Sequence, residues 1–147
     1  MTLSPDDQRR IEELTIKIVD HYDFGHPPIP IEKILSDPPE GLASVDISDL
    51  SLVFGIGEHR YEYRMAMARL LYREICRTSA TWEESYPYSN DAARYFATSL
   101  LVPAKWAVKG AKRPFISLQQ LSEDFQVPDY AMASRLVQLG KRVKGMT

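Results

Sequence analysis

Arg69 and Arg73 stand four residues apart in a run whose apolar positions, Met67, Leu70, Leu71 and Ile75, recur at helical spacing. That spacing puts both guanidinium groups on one helix face, with Arg77 continuing the row and Arg94 available from a later segment. Like charges four apart on a helix repel by about 0.2–0.5 kcal/mol unless an anion intervenes. Two occupants would relieve this. One is an incoming carboxylate or phosphate in an open cleft, gripped by paired guanidinium donors. The other is the chain's own Glu62, Glu74 or Asp91 in a filled one. Both readings stay open at this point.

Metal-ligating side chains are few. The three histidines are His21, His26 and His59, and no H-E-x-x-H occurs. His21-x-Asp23-x-x-His26 could offer three ligands across a helix end, and His59 lies one helical turn from Glu62. The lone cysteine, Cys76, has no histidine near it in sequence and sits in an apolar-rich helical stretch, so it reads as an inert thiol rather than a nucleophile. There is no G-x-S-x-G, P-loop or G-x-G-x-x-G.

The elements that must position these groups follow from 147 residues, 44% hydrophobic and 26% charged, which suits one domain with a sizeable core. Net charge is -2, so bulk charge gives no pull toward nucleic acid or anionic lipid. One cysteine permits no internal disulfide and no apolar run approaches a membrane span, so the expectation is a cytoplasmic protein without a membrane partner. The charge is unevenly spread: residues 1–103 hold 10 basic and 17 acidic side chains, residues 104–147 hold 8 and 3. A basic helical segment follows an acidic body.

Ser4-Pro5-Asp6-Asp7 supplies a cap, a first-turn proline and dipole-compatible acids for a helix to Tyr22, apolar at Ile11, Leu14 and Ile18. Prolines hold 24–30 extended before a short helix over 31–35. From Leu42 to Ile56, Val45, Ile47, Leu50, Leu52, Val53, Phe54 and Ile56 predict two or three strands of a small antiparallel sheet. A central helix is expected from Arg60 to Arg77, another from Ser89 or Asn90 to Leu101, and an irregular or short helical link over 104–116.

Two helices should close the chain, Ser117 to Phe125 with the capping box Ser117-x-x-Gln120, and Asp129 to Leu139, stopped by Gly140. Their lengths suit a helix-turn-helix-like pair, in which Tyr130, Ser134, Arg135 and Gln138 would face nucleic acid with Lys141, Arg142 and Lys144 nearby. Gln126 stands where such a turn favours glycine, and Pro128 where a hydroxyl cap is expected. The alternative is that Leu118, Leu121, Phe125, Leu136 and Leu139 simply close the core.

Three segments in order, Arg64-Met65-Ala66-Met67-Ala68-Arg69-Leu70-Leu71-Tyr72-Arg73, then Ala92-Ala93-Arg94-Tyr95-Phe96-Ala97-Thr98-Ser99-Leu100-Leu101-Val102-Pro103, then the terminal pair, resemble the ImmA/IrrE family of zinc metallopeptidase-like proteins. The family pattern is R-F-T-x-A-H-E-x-G-H followed by E-A-N-x-F-A-x-x-L-L-x-P. On that resemblance Arg69 and Arg73 occupy the two histidine positions, Leu70 the general base and Ala92 the third ligand. Arginine offers no lone pair, and leucine and alanine offer no donor atom. The resemblance therefore implies a single zincin-like α+β domain, mostly helical, with 1–103 as metallopeptidase-like core and no catalytic residue, metal or cofactor. It further implies a pseudoenzyme acting as a binding module in transcriptional or stress regulation, with a protein partner at Arg69, Arg73 and Arg94. The alternatives are a peptidase with zinc relocated to His21, Asp23, His26, His59 or Glu62, or DNA binding through 117–144.

Overall fold

The computed structural model describes residues 3–38, 61–78 and 86–146, of which 69% are helical. Seven helices lie among them: α1 Pro5–Tyr22, α2 Ile31–Ser36, α3 Glu62–Thr78, α4 Asn90–Leu101, α5 Ala104–Ala111, α6 Leu118–Phe125 and α7 Asp129–Gln138.

The expected α+β, zincin-like architecture is corrected accordingly. Among the described residues there is no strand or sheet, only an isolated bridge between Ser117 and Lys144. The strands expected over 42–56 fall outside the described residues. What the described chain builds is helix upon helix, each burying one apolar stripe. No helix among the described residues is long and apolar enough to cross a membrane.

Local chemistry sets the helix ends. Ser4 caps α1 by accepting the Asp7 amide at 3.1 Å, and Asp23 ends it in the left-handed region. Ser89 caps α4 through the Ala92 amide at 3.0 Å. The Ser117–Gln120 capping box opens α6 with both of its hydrogen bonds in place. Gln126 adopts the left-handed geometry normally left to glycine, φ 54°, so the turn expected between the last two helices forms despite the larger residue.

Packing gives the central position to α4 rather than to the 60–77 helix. Ala92, Ala93, Phe96, Ala97, Leu100 and Leu101 are all buried, and α4 packs against α3, α1 and α7. The small residues explain this: alanines at 92, 93 and 97 let neighbouring helices approach on more than one side. Ile31, Ile34 and Leu35 of α2 are fully buried, and α2 packs on α3. Behind them, Leu121, Phe125, Met132 and Leu136 close the core from α6 and α7. The 104–116 link is ordered as α5, with Ala107 buried and its lysines outside.

Two arginines are built into this core. Arg64 on α3 is buried, and its Nε and Nη2 donate to the carbonyls of Gln126 at 2.9 Å and Ile29 at 2.6 Å. It thereby holds the segment before α2 and the α6–α7 turn to one helix. Burial lowers its pKa, offset in part by Glu32, whose carboxylate lies 3.8 Å away.

The second is Arg135. It was expected on the outward face of α7 as a nucleic-acid contact, and that is corrected: it is 1% exposed. Its Nε donates to the Val102 carbonyl at 2.8 Å and both terminal nitrogens donate to Glu12 of α1. The physical reason is register. Ala131, Met132, Arg135 and Leu136 form one stripe, and all four are buried. A charge on that stripe persists only because a carboxylate and a carbonyl meet it.

Candidate functional site

The α3, α4 and α7 helices leave a cleft of about 670 Å3 between them. From α3 come Glu62, Met65 and Arg69; from α4, Asn90, Arg94 and Thr98; from α7, Tyr130, Ala131 and Ser134. The helical stripes that bury Met65 and Ala131 on the core side aim Arg69 and Ser134 into the opening. Ser89, by starting α4 where it does, fixes Asn90 and Arg94 on the facing wall.

Two of the three arginines singled out from the sequence, Arg69 and Arg94, are thus brought together with two residues assigned there to a separate nucleic-acid face, Tyr130 and Ser134. Arg73 is exposed and does not line the cleft. The carboxylates proposed to neutralise the row do approach it: Glu62 lies 3.7 Å from Arg69, Asp91 3.8 Å from Arg94, and Glu74 2.6 Å from Arg77. The first two distances are too long for hydrogen bonds, so the guanidinium donors in the cleft are neutralised without being saturated. Arg77, by contrast, is spoken for.

Glu62 has a second partner. The Tyr130 hydroxyl donates to its Oε2 at 2.6 Å. Burial, and then that carboxylate, push the Tyr130 phenol up to about 12, while Arg69 and Arg94 pull the other way. Both cations therefore act electrostatically on the same phenol from opposite walls. A larger space of about 970 Å3 lies beyond the Glu62–Tyr130 contact. Its charged lining is Glu62, Glu123 and Asp129, with no cation among the described residues, and Tyr61 donates to Glu123 at 2.8 Å. The charged groups lining the far side are thus all carboxylates, whereas Arg69 and Arg94 join Glu62 on the near side.

The ligand positions implied by the resemblance do not fit zinc. Arg69 and Arg73 are cations, Leu70 is hydrocarbon, and Ala92 is fully buried against neighbouring helices. Nor are the relocated ligands assembled: among the described residues no group of three or more His, Cys, Asp or Glu could hold a metal ion, so His21, Asp23 and His26 form no such group. His59 lies outside the described residues. Cys76 is half-buried, and burial pushes its thiol up, against a smaller opposite pull from Tyr72. That is the reverse of what a nucleophile requires.

Of the residues assigned to nucleic acid, Tyr130, Ser134, Gln138 and Arg142 are exposed and Lys141 is partly so. With Arg135 withdrawn, the exposed face of α7 itself carries Tyr130, Ser134, Val137 and Gln138 and no cation.

Sequence reasoning missed the Glu12 cluster altogether. Glu12 accepts from Arg135, from the Tyr95 hydroxyl at 3.1 Å and from the Ser99 hydroxyl at 3.3 Å. Burial pushes its carboxyl up, but the Arg135 hydrogen bonds and charge, with Tyr95 and Ser99, more than reverse this and leave the pKa lowered. A signal was present: Glu12 directly follows Ile11 at the edge of the apolar stripe of α1. No protein-family model, no curated protein and no solved structure matches the chain.

Proposed function

We propose that this protein is a binding module, a pseudoenzyme of ImmA/IrrE-like descent, whose α3–α4–α7 cleft receives an acidic segment of a partner protein in a regulatory role. The observation that supports this reading is the convergence of Arg69 and Arg94 on one opening, each only loosely met by its own carboxylate. Guanidinium groups present planar paired donors that match a carboxylate, and Asn90, Thr98 and Ser134 add neutral polar groups around it. No hydrolytic step is assigned to the cleft, because the family's metal and base positions hold side chains that cannot coordinate or deprotonate. The same reading keeps the protein in the reducing cytoplasm, where a single cysteine stays a thiol.

DNA binding through α6 and α7 has less support. Its central candidate, Arg135, is committed to Glu12, and Asp129 and Glu123 flank the exposed end of α7.

The test uses a fluorescein-labelled oligoglutamate peptide followed by anisotropy. Binding should weaken with salt and fall by roughly tenfold or more in Arg69→Ala/Arg94→Ala, about 1.4 kcal/mol. Unchanged affinity in the double variant would overturn the assignment of the cleft, as would tighter retention of a DNA duplex than of the peptide.

A further inference from the structure

Glu62 and Arg69 stand seven residues apart on α3, two helical turns along one face, within reach of a direct bond between extended side chains. The pair stops short of one. Glu62 Oε1 lies 3.7 Å from Arg69 Nη1, so charge is offset across the gap while the guanidinium donors stay unfilled. What holds the carboxylate lies on another helix. The Tyr130 hydroxyl of α7 donates to Glu62 Oε2 at 2.6 Å, and among the described residues this is the one hydrogen bond to the Glu62 side chain. Burial, and then Glu62 itself, push the phenol up to about 12, so it keeps its proton and remains a donor throughout the neutral range.

The core fixes this contact in place. Arg64, two residues past Glu62, is buried, and its Nε donates to the Gln126 carbonyl at 2.9 Å, which ties the turn four residues before Tyr130 to α3. Tyr130, 53% exposed, then meets Glu62 at the surface of the same junction. With one oxygen held there, the carboxylate cannot turn both oxygens onto Arg69, the paired arrangement that a guanidinium favours.

We propose that Tyr130 is a positioning residue of the α3–α4–α7 cleft: it restrains Glu62, a built-in competitor, so that an incoming carboxylate rather than Glu62 bonds Arg69. This rests on the reading of that cleft as the seat of an acidic segment. Loss of the restraint turns Glu62 into an internal ligand of Arg69, and the cleft inhibits itself. The competing role for the hydroxyl is direct contact with the peptide, since Tyr130 also lines the cleft. The two roles differ in their dependence on Glu62.

Tyr130→Phe removes the hydroxyl and keeps the ring. Fluorescein-labelled oligoglutamate should bind this variant roughly fivefold more weakly than wild type. Adding Glu62→Gln removes the competitor and should restore binding, with a gain clearly larger than Glu62→Gln gives on its own. Equal gains in the two backgrounds assign the hydroxyl to contact with the peptide and overturn the proposal, as does an unchanged affinity in Tyr130→Phe.

A second measurement needs no peptide. The full chain is labelled with phenylglyoxal, and the adducts at Arg69 and Arg94 are quantified by mass spectrometry. The reagent attacks a deprotonated guanidine, and a bonded carboxylate keeps the proton in place. The ratio of Arg69 to Arg94 labelling should fall roughly threefold in Tyr130→Phe and rise in Glu62→Gln. A ratio that holds or rises in Tyr130→Phe overturns the proposal. Wild type that ignores oligoglutamate yet shows the expected labelling overturns the acidic-segment reading and upholds the restraint on Glu62.

Discussion

Arg135 and Arg69 are the same side chain at helical positions of similar neighbourhood, yet one is sealed against Glu12 and Val102 while the other faces a cleft with its carboxylate 3.7 Å away. The difference lies in how completely each guanidinium is answered. Where the surroundings saturate the donors, as at Arg135, the charge serves the fold; where they only neutralise it, as at Arg69 and Arg94, donors remain for a ligand.

The sharpest way to break this contrast is Arg135→Ala, which strands Glu12 half-buried without its counter-charge. A loss of about 3–5 kcal/mol is expected, read by urea unfolding. A loss under about 1 kcal/mol would show that Arg135 is dispensable and the contrast false. Arg64→Ala comes next. It strips partners from the buried carbonyls of Ile29 and Gln126, and about 2–3 kcal/mol should go, by the same measurement.

The pH dependence is smaller and has a definite sign. The Glu12 carboxyl has a lowered pKa in the folded chain, so its contribution is present above the unfolded value near 4.5 and fades as pH falls through the folded value. Unfolding midpoints taken from neutral pH down through this window should drop, and Glu12→Gln should start lower and flatten that slope. Smaller again in stability terms is Arg69→Ala with Arg94→Ala, which should cost less than about 0.5 kcal/mol while abolishing most oligoglutamate binding. Arg73→Ala should move neither quantity, because it is exposed and outside the cleft.

How much of this could be read from the sequence depended on whether the determinant was local. Ser4, Ser89 and the Ser117–Gln120 box set helix starts within a few residues of themselves, and those starts were legible. The pairing of Arg69, Arg77 and Arg94 with Glu62, Glu74 and Asp91 was also legible as an alternative, since helical spacing or short separation determines it. Arg135 was not, because its partner lies 123 residues earlier. Its place on the stripe with Ala131, Met132 and Leu136 was visible, but the residue type argued for solvent and carried more weight. The join of Tyr130 and Ser134 to the arginine cleft likewise depends on α7 crossing α3 and α4, which no single segment encodes. The zincin-like part of the α+β reading came from motif resemblance and its sheet from the β-branched pattern over 42–56, which lies outside the described residues; among the described residues the architecture is helical, with no strand.

Arg135 also bears on the uneven charge of the two parts of the chain. Part of the basic excess after Pro103 is spent internally, on an acid in the first helix, and Arg64 secures the turn before α7 from the other side. A protease nick between Pro103 and Ala104 would thus yield fragments that travel as one species in native gel filtration and part company only in denaturant. The acidic and basic stretches share one hydrophobic core, and the Arg135–Glu12 pair ties the last helix to the first across it.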